Sequence, residues 1–264
     1  MAHGDLGRLV EVAEAAALAG GRVILEAAPG SEATTKASPG DYVTRTDRAS
    51  ERAAVELLLR EEPSISVLAE ESGGETAARY WAVDPLDGTT NFLHGFPVVG
   101  VSVALVEDGR PVVGVVHAPF LGETYAGALG LGAEVRRPGA DARPLRVSER
   151  DPATAVVATG FPFRRKDVLP RYLAMLGAAL ERFEDLRRAG AASLDLAWTA
   201  AGVFDGFFEL GLSPWDVAAG GVLIQEAGGR VTDWSGGPEY LSGDILAGPA
   251  AVHSELLRLA GATG

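Results

Sequence analysis

The chain has 264 residues, 47% of them hydrophobic, and 36 acidic against 23 basic side chains give a formal charge of −13. Length and apolar content suffice for a sizeable core, in one large domain or two intimate halves, while the acidic balance repels nucleic-acid phosphates and anionic lipid and so argues against binding to either by charge alone. The absence of cysteine excludes disulfides, thiolate metal sites and cysteine nucleophiles.

In chain order, helix is expected from Asp5, a plausible N-cap, to Glu26. Its apolar run from Leu9 to Leu25 is interrupted by Glu11, Glu14, Gly20, Gly21 and Arg22, so it reads as amphipathic rather than membrane-spanning. The segment Met1-Ala2-His3-Gly4-Asp5 lacks the features of a secretory signal, so a cytoplasmic location with no membrane partner is expected. A Gly/Ser/Thr/Pro-rich loop follows from Ala28 to Asp41, then a helix from Asp47 to Glu61. Short strands at Ser64–Leu68 and Tyr80–Val83 each end in acidic residues. Val99–Val106 and Pro111–His117 flank a turn and open an antiparallel meander that runs to Val147. Beyond it, strands (Ala155–Ala158, Val203–Leu210, Ile245–Ala247) alternate with helices (Asp167–Glu184, Ser193–Ala201, Ser213–Ala227, Pro249–Leu259), which suggests an α/β half. The division falls near Arg143 to Arg150, giving a half from 1 to 145 and a half from 146 to 264 in one catalytic domain. The site is expected in the cleft between them.

The most informative segment is Asp84-Pro85-Leu86-Asp87-Gly88-Thr89-Thr90-Asn91-Phe92. Carboxylates after an apolar strand sit where open α/β sheets place ligands. Pro85 turns the chain, so Asp84 and Asp87 can converge on one point. Gly88 permits close backbone approach, and Thr89-Thr90 can begin a short helix whose free N–H groups receive phosphate. Such hard oxygen ligands suit Mg²⁺. The same residues also suit an ordinary Asx-turn. An aspartyl-phosphate mechanism expects two aspartates spaced by two on the first strand, whereas these are spaced by three and lie a third of the way along the chain.

Glu70-Glu71-Ser72-Gly73-Gly74 repeats the pattern of strand, carboxylate and glycine loop, although alone it is also a solvated strand end. Ser213-Pro214-Trp215-Asp216 marks a helix start, with Asp216 at N3, where it serves equally as a capping-box acid or a metal ligand. The histidines His3, His94, His117 and His253 show neither metal-ligand spacing nor a paired nucleophile. Gly127 to Gly132 lacks the P-loop lysine.

Taken together in this order, these segments make the chain similar to the inositol monophosphatase family. Asp84-Pro-Leu-Asp-Gly-Thr-Thr-Asn-Phe-Leu-His-Gly-Phe-Pro97 matches its first motif. Trp215-Asp-Val-Ala-Ala-Gly220, continuing to Glu226-Ala-Gly-Gly229, matches its second. The Glu70-Glu71-Ser72 run matches its upstream acidic motif, and Lys36, Asp41 and Asp47 fall in a segment like its substrate-covering loop. The resemblance implies a layered α-β-α-β-α sandwich of the inositol monophosphatase and fructose-1,6-bisphosphatase type, lithium-sensitive and usually homodimeric. It implies two or three Mg²⁺ held by Glu70, Asp84, the Leu86 carbonyl, Asp87 and Asp216. It implies phosphate bound by the Gly88 and Thr89 N–H groups, and an attacking water oriented by Thr89 with Asp47 behind it and Glu70 near a third metal. The polyol hydroxyls would meet Asp87, Gly190, Ala192 and Glu209. The implied reaction is hydrolysis of a small-molecule phosphate monoester, inositol 1-phosphate foremost, with sugar, histidinol and fructose bisphosphates as alternatives. Ala191 departs from relatives that carry a hydroxyl there. Some bacterial relatives contribute to RNA-related regulation, and Arg164-Arg165-Lys166 and Arg187-Arg188 are basic runs that can serve such a role or a dimer interface.

Overall fold

The computed structural model describes residues 3–27, 33–35, 42–163 and 165–263. Two helices, α1 (His3–Glu26) and α2 (Arg45–Glu61), pack against each other, and a small antiparallel pair, β1 (Ala33–Thr35) with β2 (Tyr42–Thr44), precedes α2. Seven strands form the first sheet: β3 (Ser66–Ala69), β4 (Arg79–Asp87), β5 (Gly100–Glu107), β6 (Arg110–Ala118), β7 (Glu123–Ala128), β8 (Gly132–Arg136) and β9 (Arg143–Pro144). They lie side by side in chain order, antiparallel except for the parallel β3–β4 pair. A short helix, α3 (Thr89–Leu93), follows β4.

The second sheet has five strands: β10 (Val156–Thr159), β11 (Asp185–Arg187), β12 (Gly206–Glu209), β13 (Arg230–Thr232) and β14 (Ile245–Gly248). Their order is β11-β10-β12-β14-β13, with β10 parallel to both neighbours and β14 antiparallel to both of its own. Its connections are α4 (Leu169–Arg182), α5 (Ala192–Ala200) and α6 (Pro214–Glu226), and α7 (Ala250–Ala262) closes the chain.

Strand periodicity builds the layers, because successive side chains point to opposite faces. On β4, Trp81 and Val83 join Leu9, Ala13 and Leu58 in a core against α1 and α2, while Tyr80 and Ala82 face the other way. That second core holds Leu194, Leu196, Val217 and Leu223 of α5 and α6 together with Ala158, Phe207 and Ala247 of the second sheet. The alternate residues Val157, Phe208 and Leu246 pack outward with Tyr172, Met175 and Leu256 of α4 and α7. The result is the expected five-layer sandwich, α-β-α-β-α, with α5 and α6 between the sheets. Helix α6 lies close on the first sheet: a Cβ added at Gly114 of β6 would sit 2.4 Å from the Ala219 carbonyl oxygen.

Several boundaries differ from expectation for local reasons. Helix α2 starts at Arg45, because Thr44 caps it and Asp47 completes the capping box as N3. A 3₁₀ turn at Lys166–Val168 precedes α4, with Asp167 paired to Arg165. The strand expected from Val203 shortens to β12. Buried Asp205 accepts from the Val156 amide at 2.7 Å and pairs with Arg150 at 3.2 Å, which bends the chain before the strand begins. Strands β11 and β13 were not foreseen, since three residues, with only one apolar residue in the middle, lie below any alternation signal. The loop expected from Ala28 to Asp41 contains β1. Lys36, Asp41 and Arg164 lie outside the described residues. Among the described residues no helix is long and apolar enough to cross a membrane.

Candidate active site

Strand β4 brings its two aspartates to the same side by breaking its own register. Against β5, Asp84 faces Ser102 and Asp87 faces Gly100, so β4 advances three residues while its partner advances two. The extra residue is a bulge, and it turns Asp87 back to the side of Asp84, where strict alternation would have opposed them. Pro85 sits in that bulge, and its carbonyl accepts from Ser50 of α2 at 2.7 Å. The Asp84 carboxylate accepts from the Leu86 amide at 3.0 Å, so the Asx-turn expected of this segment is also present.

Asp216 likewise fills both of the roles the sequence left open. Ser213 and Asp216 form a capping box at the start of α6, with the Ser213 amide donating to Asp216 at 2.7 Å. The carboxyl also makes a hydrogen bond with Asp84. Ser102 ties this helix start to the first sheet by donating to the Trp215 carbonyl at 2.8 Å. Glu70 follows β3, and its amide donates to the Val83 carbonyl at 3.1 Å.

These acids charge one another. Burial first, then Glu70, Asp87 and Asp216, push Asp84 well above the usual carboxylate range. Burial and Glu70 raise Asp87 to about 6, against two hydrogen bonds from Ser193. Burial, Asp87 and Glu70 raise Asp216 to about 7. No cationic side chain appears among the main influences on any of the three. Among the described residues, no three acidic or histidine side chains meet in the tight grouping of a formed metal-ligand set. Instead the carboxylates share a cleft, with Asp84, Asp87 and Asp216 each turned onto a local donor. A set of hard oxygen donors whose mutual repulsion calls for positive charge fits divalent Mg²⁺.

The cleft encloses about 950 Å³. Glu70, Asp84, Leu86, Asp87, Gly88, Thr89, Gly190, Ala192, Glu209 and Asp216 all line it, and Asp47 does not. Asp47 lies buried directly behind: it accepts from the Thr89 hydroxyl at 3.0 Å and from the Thr44 amide at 2.9 Å. Burial raises its pKa, and the threonine hydrogen bonds oppose that rise. At the start of α3, Gly88 has φ +91, and a Cβ there would lie 2.8 Å from the Val98 carbonyl. No side chain caps this helix start, so its amides remain open to the cleft. On the opposite side, Gly160 leaves room for Glu209, because a Cβ would fall 2.1 Å from the Glu209 carboxylate.

Sequence reasoning missed three features. Ser193 holds Asp87 with its amide at 2.7 Å and its hydroxyl at 2.6 Å. Asp195 is buried at 1% exposure on the cleft floor, with one carboxylate oxygen unpartnered. Burial, Glu209 and Asp87 hold its pKa well above normal. A lone acid in the apolar run Ala192–Ala200 was the available signal. The third feature is the aromatic pair Phe161 and Phe163 on the far wall. His117, by contrast, is a structural residue: its Nδ1 meets the Glu123 carbonyl and the Thr124 hydroxyl, away from the cleft.

A Nus factor SuhB from Pasteurella multocida is 42% identical over 228 residues, which make up 85% of this chain and 84% of that protein. The extragenic suppressor protein suhB of Bartonella henselae has a similar structure, with TM-score 0.85 and 38% identity over 95% of this chain and 97% of that one. An inositol monophosphatase from Anabaena sp. PCC 7120 also superposes with TM-score 0.85, at 38% identity over 97% of this chain and 96% of its own. The model of the inositol monophosphatase family matches residues 5–262. With its motifs, layers and cleft in agreement, the chain belongs to the inositol monophosphatase family.

Proposed function

We propose that this chain is a cytoplasmic, homodimeric, lithium-sensitive phosphatase that hydrolyses the phosphate monoester of a small polyol, inositol 1-phosphate foremost, with two or three Mg²⁺. The observation that supports this best is that Glu70, Asp84 and Asp87 of the first half and Asp216 of the second line one cleft and together raise the pKa values of the three aspartates, beside the uncapped helix start at Gly88 and Thr89. Mg²⁺ held by Glu70, Asp84, the Leu86 carbonyl, Asp87 and Asp216 would acidify water and offset charge on the phosphoryl oxygens.

The chain's own residues do the positioning. The Thr89 hydroxyl donates a hydrogen bond to Asp47, so its oxygen lone pairs are left to accept from an attacking water and aim it in line. The amides of Gly88 and Thr89 donate to the phosphate. Asp87, Gly190, Ala192 and Glu209 receive the hydroxyls of the leaving polyol. No side chain takes the phosphoryl group. The screen that tests this measures phosphate release from inositol, glycerol, histidinol and fructose phosphates with Mg²⁺, with and without Li⁺. Mg²⁺-dependent release inhibited by Li⁺ is expected. Near-full activity in Asp87→Asn or Asp216→Asn would overturn the ligand assignment, and a trapped phosphoenzyme would overturn direct attack by water.

The relatives named Nus factor favour a second reading, in which binding to a partner is the principal role and catalysis is incidental. Retention of RNA or protein partners in a salt-titrated pull-down, by a chain inactive on every phosphate ester tried, would decide for it.

A further inference from the structure

The register of the first sheet builds another cavity, away from the catalytic cleft. Tyr125 of β7 faces Val135 of β8, and Val135 faces Arg143 of β9. Directly paired residues point to the same face, so the three stand in one cross-strand row. Tyr125 and Val135 are buried on the side of the sheet that packs against α5. Arg143 ends the row, exposed on the edge strand. Glu123 shares that face, two residues from Tyr125. Trp198, near the end of α5, and Val203 beyond it close the other side. The cavity encloses about 460 Å³, a volume suited to small molecules. Among the described residues, none lines both this cavity and the catalytic cleft.

The interior polar groups satisfy one another. Trp198 donates to the Tyr125 hydroxyl, which donates to Glu123. Glu123 also accepts from Arg137 Nε at 2.7 Å. Burial and Glu123 raise the Tyr125 pKa, so the phenol keeps its proton. Phe204 holds the Trp198 ring edge to face, with centroids 5.5 Å apart. Glu123 is thus neutralised by Arg137 and has no charge to offer a cationic ligand. Arg143 is the exception: among the described residues it makes no hydrogen bond, ion pair or ring contact. In a chain with a net charge of −13, the mouth of an apolar cavity carries one uncompensated positive charge. A guanidinium of this kind receives a carboxylate through two parallel hydrogen bonds.

We propose that this cavity is a binding site for a small monocarboxylate with a flat apolar body, its carboxylate on Arg143 and its body against Trp198 and Val135. One negative charge matches the one free cation, whereas a dianionic phosphate ester would bring a second charge with no partner. The ion pair forms at an exposed edge, so its contribution weakens with ionic strength. The site is independent of the phosphatase chemistry proposed above, because the two cavities share no lining residue among those described.

Saturation-transfer NMR titrations on the full chain test this, with 3-phenylpropionate as the probe and 3-phenylpropanol and 3-phenylpropylamine as its neutral and cationic counterparts. The carboxylate is expected to bind with Kd of about 1 mM or tighter, the alcohol about fivefold more weakly, and the amine most weakly. Arg143→Ala should erase the difference between carboxylate and alcohol, Arg143→Lys should keep most of it, and Arg143→Glu should turn the preference towards the amine. Arg143 has no partner to lose, so all three variants should melt at the wild-type temperature. Inorganic phosphate with Mg²⁺, which occupies the catalytic cleft, should not displace the probe. Absence of saturable carboxylate binding, equal binding of the three probes, an unchanged preference in Arg143→Glu, or displacement by phosphate and Mg²⁺ would each overturn the site. None of these outcomes touches the phosphatase reading, which the phosphate-release screen tests separately.

Discussion

The functional side chains hold several obligations at once. Asp47 caps α2 through Thr44 with one oxygen and accepts from Thr89 with the other. Asp216 is at once an N3 capping acid and a cleft carboxylate. A carboxylate fixed by backbone donors loses little freedom when it takes on a second task, which favours a well-oriented site. Ser193 plays this supporting role for Asp87 through two donors, of which only the hydroxyl can be deleted by mutation. Ser193→Ala is therefore expected to lower Mg²⁺-dependent kcat/KM about 10–100-fold, with the melting temperature nearly unchanged. Thr89 offers a second test. Thr89→Val removes the hydroxyl at nearly constant volume and should cut kcat about 100-fold, whereas Thr89→Ser should retain most of the rate. A Thr89→Val enzyme of normal kcat would remove Thr89 from the water-orienting role.

Among the elements, β4 and α6 matter most. β4 was expected to stop at Val83, but it continues through Pro85 to Asp87. The proline is tolerated because it falls in a bulge, where the ladder is already interrupted. The motif was thus legible as a turn with two acids, but the bulge that aligns them depends on the register against β5, which no local pattern encodes. Helix α6 reaches its place only because Gly114 lets it settle on the sheet. Gly114→Ala would press a methyl group on the Ala219 backbone, which cannot rotate away as a side chain can. It is expected to destabilise the protein by about 1–3 kcal/mol, read as a lower midpoint in urea. A midpoint matching wild type would mean the two layers are not in contact as described.

At the scale of the whole molecule, the cleft acids come from layers that the core holds together, and their repulsion opposes that packing. Burial and neighbouring acids raise Asp87 to about 6 and Asp216 to about 7, from an ordinary value of 3.8. Between those limits the cation-free fold retains protons that the unfolded chain has released. Its stability contribution from these groups is present at low pH and is lost as pH rises through the folded values. Mg²⁺ competes with the same protons. The rise in melting temperature caused by saturating Mg²⁺ should therefore grow between about pH 5 and pH 8. His117 and His253, with pKa values lowered by burial, destabilise both forms alike as pH falls and cancel from this difference. A Mg²⁺-induced shift that is flat or shrinks with pH would contradict the shared-carboxylate cleft.

What the sequence determined by itself is short-range: the turn at Asp84–Gly88, the capping of α6 by Ser213 and Asp216, the meander and the period-2 strands. These follow from backbone angles and neighbouring hydrogen bonds, so a few adjacent residues suffice to specify them. Only the tertiary structure decided the bulge that aligns Asp84 with Asp87, the support of Asp87 by Ser193, the buried acid Asp195 and the aromatic wall of Phe161 and Phe163. Each depends on residues far apart in the chain being brought together by core packing. Hydrophobic burial is non-directional, so the apolar pattern shows which faces pack but not which side chains meet across the gap.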